Sequence, residues 1–156
     1  MNSAKLIYEN LKSDYFLQKL FGYMKRNKSL EIMKYNKNLQ KRLSININDY
    51  NEYFLYYTPI EIEMTIADNK YGKFINISEE DKNYYHIYFD NSKEEIHRNI
   101  LNDGEKVKII KIIIDYQIKS FKELFSYCSC INSIFFKRFH RIDITNMSRM
   151  FFFGLS

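Results

Sequence analysis

Tryptophan is absent from this chain, proline occurs once, cysteine twice and glycine four times. So few prolines and glycines leave Asn and Asp to make many of the turns. Their short polar side chains bond to nearby backbone and tolerate the left-handed region. Cys128 and Cys130, two residues apart and without further cysteines, give no disulfide framework and poor bridging geometry, so the chain reads as reduced. The longest apolar run, Ile109 to Ile114, is broken by Lys111 and falls far short of a membrane span. The first ten residues carry neither an apolar core run nor a small-residue cleavage site, so no secretory leader is expected. An intracellular, cytoplasmic location is the expectation. No phosphate loop, Gly-x-Ser-x-Gly or His-Glu-x-x-His motif occurs.

What is present is apolar and aromatic. Among 156 residues, 46% are hydrophobic and 17% aromatic, which is ample for a core and argues against general disorder. The net charge of +5 allows an acidic partner, yet 24 cations are scattered among 19 acids with no long basic run. The strongest nucleic-acid candidate is a helix face with Lys34, Lys37, Lys41 and Arg42 beside Tyr35. Such faces are usually only solvated, and nucleic acid is not the expected partner.

Along the chain, Ser13-Asp14 starts a helix whose stripe is Leu17, Leu20, Phe21 and Met24. Ser29 is read as the cap of a second helix that buries Ile32, Tyr35, Leu39 and Leu43, giving a helical hairpin. A third helix is expected after Asn48, with Tyr50, Tyr53, Phe54 and Tyr57 inward. Past Pro59 the period changes: Ile60-Glu-Ile62-Glu-Met64-Thr-Ile66 alternates as a half-buried strand. Tyr84 to Phe89 is a further strand, and Glu94 to Leu101 a helical turn. Val107 to Asp115 is expected as a strand buried on both faces. The residues from 59 to 115 thus read as a small β section of three to five strands.

The C-terminal stretch repeats itself. Ile118, Phe121, Leu124 and Phe125 are echoed by Ile144, Met147, Met150 and Phe151 at a constant offset of 26 residues. A fixed period of this length marks units that bury their apolar faces only against a neighbouring copy. Ile144-Thr-Asn-Met147-Ser-Arg-Met150-Phe151 and Phe125-Ser-Tyr-Cys128-Ser-Cys130-Ile131 resemble the BspA-type leucine-rich repeats, over about a quarter of the chain. Gly154 stands where that family has cysteine. The resemblance implies a repeat solenoid and protein binding, with Ile131 to Phe139 as a repeat strand. The first two helices resemble, in their apolar and basic rhythm, an F-box, although Lys12 replaces the usual proline. That likeness implies a substrate adaptor of a ubiquitin ligase.

The expectation is therefore an α+β chain: a helical region over 1–58, a β section over 59–115, and the opening units of a leucine-rich-repeat solenoid over 116–156. The expected function is non-enzymatic protein–protein interaction, with the F-box adaptor as the alternative and no cofactor, metal or catalytic group. In the repeat strand, Ile131, Ile134 and Phe136 should point inward, leaving Ser133, Phe135 and Lys137 for a partner. On the helical region the partner candidates are Leu17, Leu20 and Phe21. His86, His97 and His140 are not spaced as a metal-ligand set, and Cys128 and Cys130 read as small buried residues.

Overall fold

The computed structural model describes Tyr8, residues 11–90 and residues 92–152. It divides into two compact units, Met1–Leu55 and Tyr56–Ser156.

In the first unit, helix α1 (Asp14–Gly22) begins where Ser13 accepts a hydrogen bond from the Phe16 N–H at 3.3 Å. Its stripe is confirmed at Leu17 and Phe21, which are buried, and at Leu20 and Met24, which are half-buried. The expected second helix is instead two: α2 (Arg26–Met33) and α3 (Lys37–Arg42). Asn36 causes the break. It stands in extended conformation and its side chain accepts from the Leu39 N–H at 3.0 Å, capping α3. Gln40 Nε2 donates to the Met33 and Lys34 carbonyls at 2.9 and 3.2 Å, satisfying acceptors at the end of α2.

Two readings fail as a result. Ser29 lies inside α2, its hydroxyl donating to backbone carbonyls of Phe21 and Lys25, and Tyr35 is 78% exposed. Leu30 and Met33 are the buried residues of α2. Helix α4 (Ile47–Tyr57) opens with a reciprocal cap: Asn46 accepts from the Asn48 N–H while Asp49 accepts from the Asn46 N–H, both at 2.8 Å. Tyr50 and Tyr53 of α4 pack on the core, but Phe54 is exposed.

The second unit is built on β1 (Ile60–Ile66), β3 (Tyr85–Phe89), β5 (Ile109–Ile114) and β6 (Ile131–Arg138). They form one antiparallel sheet in the order β3-β5-β1-β6. A small ribbon pairs β2 (Gly72–Lys73) with β4 (Ile100–Leu101). The alternation read in β1 is confirmed: Ile60, Ile62 and Met64 are fully buried. Register places Ile87, Ile112, Ile62 and Phe136 in one inward row.

Strand β5 departs from its expectation. Ile110, Ile112 and Ile114 are buried, whereas Ile109 and Lys111 are exposed, because the apolar layer that covers the sheet lies on one face only. That layer is Phe74, Ile75, Leu101, Ile118, Phe121, Leu124, Phe125, Cys130 and Met150. No helical turn forms at Glu94 to Leu101: Ile96 bridges to Ile87 and Ile100–Leu101 is strand β4.

The chain is α+β, but the expected solenoid is not there. A solenoid needs successive copies of the strand Ile131 to Phe139 side by side. Instead β6 pairs antiparallel with β1, and no second repeat strand follows among the described residues. The 26-residue echo nevertheless has a local counterpart. Ser120 and Asn146 form a parallel bridge, and the turns around 118–127 and 144–152 run side by side.

Candidate protein-interaction surface

The two edges of the sheet are unlike. On β3 the outer edge is partly closed, since the Ile96 N–H donates to the Ile87 carbonyl at 2.8 Å. On β6, β1 is the only hydrogen-bonded neighbour among the described residues, which leave its other edge open. An open edge presents unpaired backbone donors and acceptors, a template for an added strand. Two register shifts interrupt the β1–β6 pairing, where Asn132 and Lys137 are passed over. Such bulges limit indiscriminate edge pairing and re-aim side chains.

Ser133 and Phe135 stand opposite Thr65 and Glu63 on the face away from the buried row. The Ser133 hydroxyl is 2.5 Å from Thr65 Oγ1 and is thereby occupied. Phe135 is 55% exposed, and Lys137 Nζ sits 5.9 Å from its ring centroid. Lys137 also pairs with Glu63 at 3.0 Å, and Arg138 with Glu61 at 3.2 Å. The cations of the strand are thus largely neutralised by their neighbours, and what the surface offers is the ring. Ile131, Ile134 and Phe136 pack against the core from the opposite face.

The sequence candidates fall into two sets. Ser133, Phe135 and Lys137 are brought together on β6. Leu17 and Phe21 are buried in the helical unit's own core, and Leu20 is half-buried, so this trio offers little surface. The basic face also dissolves: Lys34 follows the end of α2, whereas Lys37, Lys41 and Arg42 belong to α3. Arg42 Nε is engaged by Asp14 at 2.6 Å.

Residues that no sequence motif marked also organise this unit. His86 on β3 lies between Glu95 (Nδ1–Oε1 3.0 Å) and Asp115 (Nε2–Oδ2 3.5 Å). Desolvation opposes its imidazolium, but the hydrogen bonds to Glu95 and Asp115 outweigh it and the pKa is raised. Beside it is a cavity of about 320 Å³ lined by Ile77, Tyr85, Ile87, Ile96, Glu95 and Arg98, among others. Arg98 there is held by Glu105 through bonds of 2.8 and 2.5 Å, and this pairing keeps the Glu105 carboxyl down at about 2. The Arg141 side chain is fully buried, donating to the Asp115 and Ile118 carbonyls at 3.1 and 2.7 Å.

Burial pushes the Cys128 thiol up to about 12 and raises Cys130, so both are poor nucleophiles. Among the described residues, no group of three or more His, Cys, Asp or Glu is placed to hold a metal ion. No described helix is long and apolar enough to cross a membrane. No family model, no curated protein and no solved structure matches the chain.

Proposed function

We propose that this chain is a non-enzymatic protein-interaction module whose docking element is the open edge of β6. The observation that carries the reading is Phe135: a large aromatic side chain, exposed on an edge strand, beside cations already neutralised by Glu63 and Glu61. An extended segment of a partner would add to the edge through backbone hydrogen bonds and place an apolar side chain on the ring. Protein binding is also what the BspA-type likeness of Ile144 to Phe151 implies. The adaptor alternative draws no comparable support, because Leu17 and Phe21 are committed to the helical core.

A photo-crosslinking amino acid at position 135 tests the proposal, with the exposed Tyr71 position as control. One protein should be captured from position 135 and not from 71. In purified form it should bind the wild-type chain and lose about tenfold or more in affinity to Phe135→Ala, as for an aromatic anchor. Equal capture from both positions, or unchanged affinity in a folded Phe135→Ala chain, would remove the reading.

A further inference from the structure

The two C-terminal turns have the same internal hydrogen bonds but different outer sides. Leu124 N–H donates to the Phe121 carbonyl, and Met150 N–H to that of Met147, both at 3.2 Å. Ser126 N–H donates to Glu123, and Phe152 N–H to Arg149, at 3.0 and 3.1 Å. Lys122 N–H bonds the Ser120 hydroxyl as Ser148 N–H bonds the Asn146 side chain. Glu123 and Arg149 both adopt positive φ, 56° and 53°. Every one of these features recurs at the 26-residue offset.

The first turn uses its outer donors. The N–H groups of Phe121, Glu123 and Phe125 donate to the carbonyls of Asn146, Ser148 and Met150 at 2.7, 3.0 and 2.9 Å. The corresponding donors of the second turn are Met147, Arg149 and Phe151, and among the described residues nothing accepts from them. The side chains follow the same rule. Phe121 and Phe125 are 0% exposed, whereas Met147 and Phe151 are 45% and 46% exposed. The Phe151 ring stacks on Phe125 at 5.9 Å with its other face uncovered by any described aromatic partner.

We infer that the second turn is a docking surface for an extended segment of another protein, patterned like 144–152 and running parallel to it. The occupant's chemistry can be read from this same molecule, because the equivalent surface on the first turn already holds such a segment. It must present alternate carbonyls to the row of Met147, Arg149 and Phe151, and apolar side chains to Met147 and Phe151. Neither of the two corresponding turns of a second copy fits. Its own open turn offers donors where acceptors are needed. Its first turn is closed on the far side by Asn76, whose side-chain amide donates to the Glu123 and Ser126 carbonyls at 2.8 Å. Asn76 N–H also donates to the Leu124 carbonyl at 2.8 Å. This surface is independent of the Phe135 reading: either can fail while the other stands.

The probe is a synthetic peptide of residues 141–152, added to the full chain, with amide hydrogen exchange as readout. In the free protein the Met147, Arg149 and Phe151 amides should exchange fast, and those of Phe121, Glu123 and Phe125 slowly. At saturating peptide the first three should slow by about tenfold or more. A peptide with serine in place of both methionines and both phenylalanines should give no such slowing. The inference is overturned if the three amides are already protected in the free protein. It is equally overturned if the peptide leaves them fast up to its solubility limit, or if the serine peptide protects them as well.

Discussion

The helical unit and the sheet unit solve the same problem with different reach. The helical core gathers Leu17, Phe21, Leu30, Met33 and Leu39 from a short span of chain. The sheet core joins Ile60 on β1 to Ile114 on β5, and Met64 to Ile134 on β6. Its covering layer draws on residues as far apart as Phe74 and Met150. Short helices are marginal alone and depend on caps and a few buried side chains. A sheet with a continuous buried face distributes its stability over many cross-strand rows. The lesson is that a single deletion should be felt most where one side chain touches many distant segments.

Phe121→Ala should therefore have the largest effect, about 4 kcal/mol, because it empties a fully buried aromatic site in the sheet unit. Both cysteines lie in this unit and are fully buried, so thiol labelling reports on it selectively. If labelling proceeds through opening at equilibrium, its rate should rise by about a thousandfold, at about tenfold per 1.4 kcal/mol. An unchanged rate would break the contrast between the units.

Leu17→Ala, at a fully buried site of the helical unit, should cost about 3 kcal/mol. Exchange of the Leu39 amide, itself bonded within this unit, is the check. Thiol labelling should change less than in Phe121→Ala. Asn36→Ala should cost about 1 kcal/mol by removing the α3 cap, and its signature is faster exchange at Leu39 with α1 amides little affected.

The smallest expected effect belongs to His86→Gln, and it depends on pH. The raised folded pKa means that the imidazolium held by Glu95 and Asp115 contributes stability below the unfolded value of about 6.5, provided the carboxylates are ionised. That contribution is lost as pH rises through the folded pKa. Urea midpoints of wild type and His86→Gln should differ more at pH 5.5 than at pH 8. A gap that stays constant or widens with pH would show that the imidazolium form of the clasp does not stabilise the fold.

The sequence was most legible where structure is local. The Ser13 cap, the alternation of Ile60 to Ile66 and the strand beginning beside Tyr84 required only short-range periodicity. The second helix was misread because Leu39 and Leu43 continue the apolar spacing across a break that Asn36 and Gln40 make through hydrogen bonds. On the interaction surface, the outward placement of Phe135 and Lys137 followed from counting along a strand. Leu17 and Phe21 were assigned to a partner from a likeness, although their own helical spacing fits burial equally well. The His86 pairings and the Asn76 and Arg141 caps carried no spacing signal, since their partners are remote in sequence.

The sequence by itself determined an α+β chain, the faces of several elements and a 26-residue echo between two turns. Tertiary structure alone decided that the strand between those turns pairs antiparallel with β1 and becomes an open edge. It also decided that one turn is sandwiched while the donors of the other meet no acceptor among the described residues. The reason is physical: periodicity fixes which side of a strand is apolar, whereas the choice of neighbour depends on hydrogen-bond edges supplied by chain segments dozens of residues away.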